Sequence, residues 1–170
     1  MASLRSATRA FLSEGHGPGS VLTKLSSMVD VTRDGHYATA LFGVIDLKRR
    51  RLRLASAGHL APVLITAGKP ELVDIAVGPP VGAASERTHY VETTVALPPD
   101  GQLLLFTDGL VERRGESIDE GLERLLSWVR TIVAAHSAAD IEILLGTLMD
   151  HTRDDGIKDD TAVMGAQWTS

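Results

Sequence analysis

The 170-residue sequence has no cysteine. That excludes disulfides, thiolate nucleophiles and cysteine-ligated zinc; a cytoplasmic location is expected, with which the absence of cysteine is compatible without demanding it. It also lacks any apolar run near the roughly 18 residues a spanning helix needs. The opening "MASLRSATRAFLSEG" has no continuous apolar core, so it does not read as a signal peptide. Positive charge is in deficit: 17 basic against 22 acidic residues leave a net charge of −5. That balance argues against nucleic acid or an anionic membrane as the main partner. No internal repeat or low-complexity tract is present, and the six histidines show no zinc-type pair spacing or partnered nucleophile. What remains is ordinary globular composition, 44% hydrophobic and 23% charged, at a length suited to one domain.

The hydrophobic spacing predicts a helix over 2–14, with Leu4, Ala7, Phe11 and Leu12 on one face. "GHGPGS" breaks it, and a second helix is expected after Ser20. The middle reads as β. "YATALFGVIDL" (37–47) reads as a buried strand, and "RLRLASAG" (51–58) alternates Leu52 and Leu54 against Arg51 and Arg53. "KRRR" (48–51) reads as the hairpin turn between them. Strands over 61–66, 70–75 and 90–97 follow, with "GPPVG" (78–82) as a rigid turn. "QLLLFT" is another buried strand. "SIDE" (117–120) has capping-box form ahead of a helix, a further helix carries Leu144, Leu145 and Leu148, and "TAVMGAQW" is a closing strand. This order describes an α+β layered domain whose short turns favour antiparallel pairing.

Two acidic sites stand out. In "LLLFTDGLVE" (103–112), Asp108 follows a strand expected to be buried. A carboxylate at the rim of a core needs backbone N–H groups, an arginine or a metal, although Asp-Gly is also a common turn. In "KDDTAVMGAQW" (158–168), Asp159 and Asp160 immediately precede a strand. If the two strands are antiparallel neighbours, these carboxylates share one sheet edge, where hard oxygen ligands suit Mg²⁺ or Mn²⁺. Arg113 and Arg114 are candidate phosphate binders, or simply exposed loop residues. His59 reads as a structural turn histidine, and the basic run at 48–51 is either solvated or a grip for a phosphoprotein.

"ATALFGVIDLKRRRLRLASAGHLAPVLI", "GPPVG", "LLLFTDGLVE" and "DDTAV" occur in this order in bacterial PPM-type (protein phosphatase 2C-like) serine phosphatases. The sequence resembles the branch containing the stage II E sporulation phosphatase and the stress-response sigma-regulator phosphatases. The resemblance implies a layered antiparallel β-sandwich flanked by helix pairs. It further implies a two-metal site for Mn²⁺ or Mg²⁺ and hydrolysis of phosphoserine or phosphothreonine by metal-activated water. The implied substrate is a phosphorylated regulatory protein of the anti-anti-sigma type. By motif position, Asp108 and Asp159 carry over as catalytic metal ligands, Asp160 as a supporting metal residue and Gly109 as the turn glycine. The family's first metal motif, an aspartate ahead of the first helix here, has no counterpart in 1–170. Residues 1–170 are therefore expected to be one N-terminally truncated phosphatase domain with weak or no activity, prone to pair as a homodimer. The alternative is a non-catalytic phosphatase remnant serving as a dimerisation or protein-binding module.

Overall fold

The computed structural model describes residues 2–29, 37–83, 88–135, 140–154 and 160–169. Its elements are α1 (Ala2–Ser13), α2 (Pro18–Ser26), β1 (Ala40–Asp46), β2 (Arg51–Ala57), β3 (Val63–Thr66), β4 (Lys69–Leu72), β5 (Val77–Gly78), β6 (Thr93–Ala96) and β7 (Gly101–Phe106). A 3₁₀ turn (Asp108–Leu110), α3 (Ile118–Ala135), α4 (Ile141–Asp154) and β8 (Val163–Trp168) complete the chain. Among the described residues the result is an α+β fold with two mainly antiparallel sheets and four helices. Contacts divide it into two compact units, Met1–Leu60 with Asp74–Leu97, and Ala61–Val73 with Pro98–Ser170.

In the first unit β2 is the central strand. It pairs with β1 from Ala40↔Ala57 to Asp46↔Arg51. Its other edge is shared by β6, antiparallel beside Arg51–Leu54, and by β5, a two-residue parallel pairing. Leu52 and Leu54 point inward as the alternation predicts, but Ala55, Ser56 and Ala57 are all buried too. Small side chains there admit α2, whose Val21, Leu22 and Leu25 form one core with Ala55, Ala57, Val81 and Tyr90. From α1, Leu4, Ala7 and Phe11 pack on that core, whereas Leu12, expected on the same face, is exposed.

Two expectations fail in this unit. The second helix begins at Pro18, not after Ser20, with Gly17 extended at its N-cap. Proline lacks only an N–H that the first turn leaves unused. The Glu92 carboxylate accepts a hydrogen bond from Gly19 N at 3.1 Å, which satisfies another donor of that turn that has no partner within the helix. Strand β1 is also shorter than 37–47 and half-exposed rather than buried, because among the described residues it pairs with β2 alone. The β1–β2 turn does fall on the basic run. Arg50 takes a left-handed φ of +49° there, which costs a non-glycine residue about 1 kcal/mol. Arg49 donates to Asp46 from its backbone N–H at 2.9 Å and from its guanidinium at 3.0 Å. These bonds, the backbone one first, hold the Asp46 carboxyl below its usual range.

In the second unit the sheet order is β4-β3-β7-β8, antiparallel throughout. Ala67 and Gly68, with φ of +48° and +75°, close the β3–β4 hairpin. Gln102, Leu103, Leu104 and Phe106 of β7 are buried. Helix α3 buries Leu125, Val129 and Ile132, and α4 buries Leu144 and Leu148. Gly165 of β8 leaves room for Ile141 of α4, and Trp168 Nε1 donates to Pro98 O at 3.1 Å.

The capping box forms as its sequence predicts. Ser117 N donates to Glu120 Oε2 at 2.7 Å, and Glu120 N donates back to Ser117 Oγ at 3.3 Å. The hydrogen bonds from Ser117, backbone first, hold the Glu120 carboxyl below its ordinary value. A depressed carboxylate contributes stability above its unfolded pKa and loses it as pH falls through the folded one. Ser117→Ala should therefore lower the thermal midpoint at neutral pH, and the gap from wild type should narrow below the usual glutamate range. Calorimetric scans at several pH values check this.

Candidate functional site

The candidate site is built where β7 ends and β8 begins. The ladder runs from Gly101↔Trp168 to Phe106↔Val163, so the residues after Phe106 meet those before Val163, as the sequence predicts. Thr107 extends the pairing by one step. Its backbone N–H donates to Ala162 O at 3.0 Å, and its hydroxyl accepts from Ala162 N at 2.9 Å.

The chain then turns sharply. Leu110 N donates to Thr107 O at 3.0 Å, while Val111 N and Glu112 N both donate to Asp108 O at 2.9 and 2.8 Å. Asp108 thus sits at the mouth of a 3₁₀ turn. Its carboxylate accepts a hydrogen bond from Gly109 N at 3.0 Å and is otherwise open to solvent. That N–H is one of the partners such a carboxylate calls for, and the strand delivers the side chain to the surface. Gly109 is the turn residue the sequence indicates, for a reason of contact. A Cβ there would lie 2.8 Å from Asp160 O and 2.9 Å from Thr161 Oγ1.

Asp160 is exposed beside this turn. Asp159 lies outside the described residues. Carboxylate oxygens suit a hard divalent ion in type. Among the described residues no group of three or more His, Asp or Glu side chains is arranged to hold a metal.

Arg113 lies over the Trp128 ring with its guanidinium carbon 5.5 Å from the centroid. Arg114 is exposed. His59 belongs to the first unit. Its backbone N–H donates to Ser56 Oγ at 3.1 Å and its backbone carbonyl accepts from the same hydroxyl at 2.7 Å.

Sequence reasoning missed the support behind the turn. Arg124 donates to Val111 O at 2.8 Å, pairs with Glu116, and lies 5.6 Å from the Trp128 centroid. Trp128 in turn stacks on His151, 4.9 Å between centroids and 11° from parallel. Gly121 comes against the Val111 carbonyl so closely that a Cβ would collide with it. The signal was the stripe Gly121, Arg124, Trp128, at i, i+3 and i+7 on one helix face. Backbone cannot move aside as a side-chain tip can, so Gly121→Ala should destabilise by about 1–3 kcal/mol. Urea unfolding checks this, and a loss under about 0.5 kcal/mol would show that the contact relaxes freely.

Residues 1–169 match the family model for stage II sporulation protein E (SpoIIE). The phosphoserine phosphatase RsbP of Bacillus subtilis (strain 168) is 35% identical over 79 residues, which are 45% of this chain and 19% of that protein. The RsbU and RsbW domains of Rv1364c from Mycobacterium tuberculosis share the fold with a TM-score of 0.83 at 24% identity, over 99% of this chain and 47% of that one. The Mn-presoaked phosphatase domain of SpoIIE from Bacillus subtilis aligns with a TM-score of 0.60 at 15% identity, over 98% of this chain and 73% of that one. The chain thus spans under half the length of the first two.

Proposed function

Because the chain belongs to the stage II sporulation protein E (SpoIIE) family, we propose that it is the catalytic part of a metal-dependent protein serine/threonine phosphatase. The observation that carries this reading is the β7–β8 register, which sets the Asp108 turn against the backbone of Asp160. Asp108 and Asp159 serve as ligands for Mn²⁺ or Mg²⁺, with Asp160 in support. When bound, such ions acidify a water and screen charge on the phosphoryl oxygens. Asp108 contributes an exposed hard oxygen, aimed by a turn that Gly109 and Thr107 lock to β8. Arg113 and Arg114 are assigned to the substrate phosphate, because guanidinium donors match its oxygens in pairs. The substrate class is a phosphoserine or phosphothreonine on a regulatory protein of the anti-anti-sigma type. The phosphoserine specificity in the name of the relative RsbP supports the phosphoserine part of this choice.

Two or three carboxylates fall short of a two-ion centre, since Mg²⁺ keeps its waters unless ligand charge and geometry are right. Calorimetry on the chain as it stands should show Mn²⁺ binding weaker than about 10 µM. Micromolar or tighter binding that disappears in Asp108→Asn overturns that expectation.

Fusing the first metal motif of a SpoIIE-family phosphatase ahead of α1 should yield Mn²⁺-dependent hydrolysis of p-nitrophenyl phosphate and of a phosphoserine protein. Asp108→Asn and Asp159→Asn should each return the rate to background. A rate within about two-fold of the parent in either variant sinks the assignment.

A second reading is a non-catalytic module that pairs with another copy of itself. It is favoured by β1, whose outer edge is unpaired among the described residues and which carries Ile45 and, just beyond it, Leu47 exposed. Bare edges of this kind accept a strand from elsewhere. Light scattering at about 100 µM separates the cases, since an interface of standard size associates there. A stable monomer counts against pairing.

A further inference from the structure

The chain is acidic overall, yet five of its 17 basic residues fall within 48–53: Lys48, Arg49, Arg50, Arg51 and Arg53. All five are exposed and sit at one end of the β1–β2 hairpin. Arg49 is paired with Asp46 at 3.0 Å and Arg53 with Glu92 at 3.5 Å. No ion pair is formed by Lys48, Arg50 or Arg51 among the described residues. Three uncompensated cations within four consecutive positions repel one another in the folded state.

The backbone adds a second cost at the same place. Arg50 holds a φ of +49°, a conformation that glycine and asparagine adopt more readily. Its carbonyl accepts a hydrogen bond from Leu97 N at 2.9 Å, so the strained residue is fixed to the body of its unit rather than free to relax. A turn shaped by stability alone would carry glycine here and mix its charges. Strain and like-charge crowding at one spot point to a role outside folding.

We propose that this hairpin tip is a docking site for an acidic, carboxylate-rich segment of a partner protein. The proposal does not depend on the phosphatase reading. Guanidinium groups pair carboxylates through two parallel N–H donors. The exposed Leu47, 58% accessible, offers one apolar contact beside them. Charge range selects a peptide over a membrane or nucleic acid. An extended acidic segment feels mainly the cations within a Debye length of about 8–10 Å. A membrane surface or a duplex also meets the remaining acidic surface of a chain at −5 and is repelled by it.

The test is fluorescence anisotropy with a labelled ten-residue peptide alternating glutamate and serine, at low and at physiological salt. Saturable binding that weakens with salt is expected. The triple variant Lys48→Ala/Arg50→Gly/Arg51→Ala should bind about ten-fold more weakly, the sum of three modest ion pairs. Its unfolding midpoint should match or exceed wild type, since glycine relieves the turn. The control Arg9→Ala/Lys69→Ala/Arg130→Ala removes the same charge elsewhere and should keep wild-type affinity. The proposal is overturned by no saturable peptide binding, by equal weakening in both triple variants, or by an affinity change under about two-fold in the first. Phosphatidylserine vesicles or a DNA duplex binding as tightly as the peptide also overturn it.

Discussion

The candidate site depends on the antiparallel ladder between β7 and β8. Because Phe106 pairs with Val163, everything that follows β7 is laid against everything that precedes β8. Thr107 carries the ladder one residue past the strand by using its hydroxyl as a backbone substitute. Gly109 then lets the turn press on the carbonyl of Asp160. A register slip of one residue would invert the faces of β8 and separate Asp108 from Asp160.

The ladder fixes one side of the turn, and α3 fixes the other. Val111 hands its carbonyl to Arg124 while its N–H serves Asp108. The same guanidinium pairs Glu116 and lies on Trp128. The segment carrying Asp108, Arg113 and Arg114 is therefore held at Val111 and Glu116 by one side chain of α3, Arg124. The capping box at Ser117 sets where that helix starts. Local chemistry at 117–120 thus reaches the turn through helix phase.

Much of this was legible in the sequence. The meeting of "LLLFTDG" with "DDTAV" followed from two strands whose polar ends carry complementary positions. Leu52 and Leu54 announced the inner face of β2, and "SIDE" announced α3. The half-exposed state of β1 was not legible, because periodicity reports composition and not how many neighbours a strand has. Pro18 was read as a breaker when it opens a helix, an ambiguity inherent in a residue suited to both. Gly121 and Arg124 share a stripe with Trp128 on one helix face, but their common partner is the Val111 backbone carbonyl, which leaves no mark in a sequence, so the stripe alone did not name what it supports.

The two tryptophans bracket this arrangement. Trp168 is 8% accessible and hydrogen-bonded at the far end of the β7–β8 ladder, while Trp128 lies beneath two guanidinium groups and face to face with an imidazole. A stacked imidazole quenches indole emission, so Trp128 is expected to be the dimmer of the two. Any event that parts α3 from α4 near His151 should brighten Trp128, while opening of the ladder should shift Trp168 to the red. The protein thus carries a two-colour optical readout of the segment behind Asp108, with no label attached.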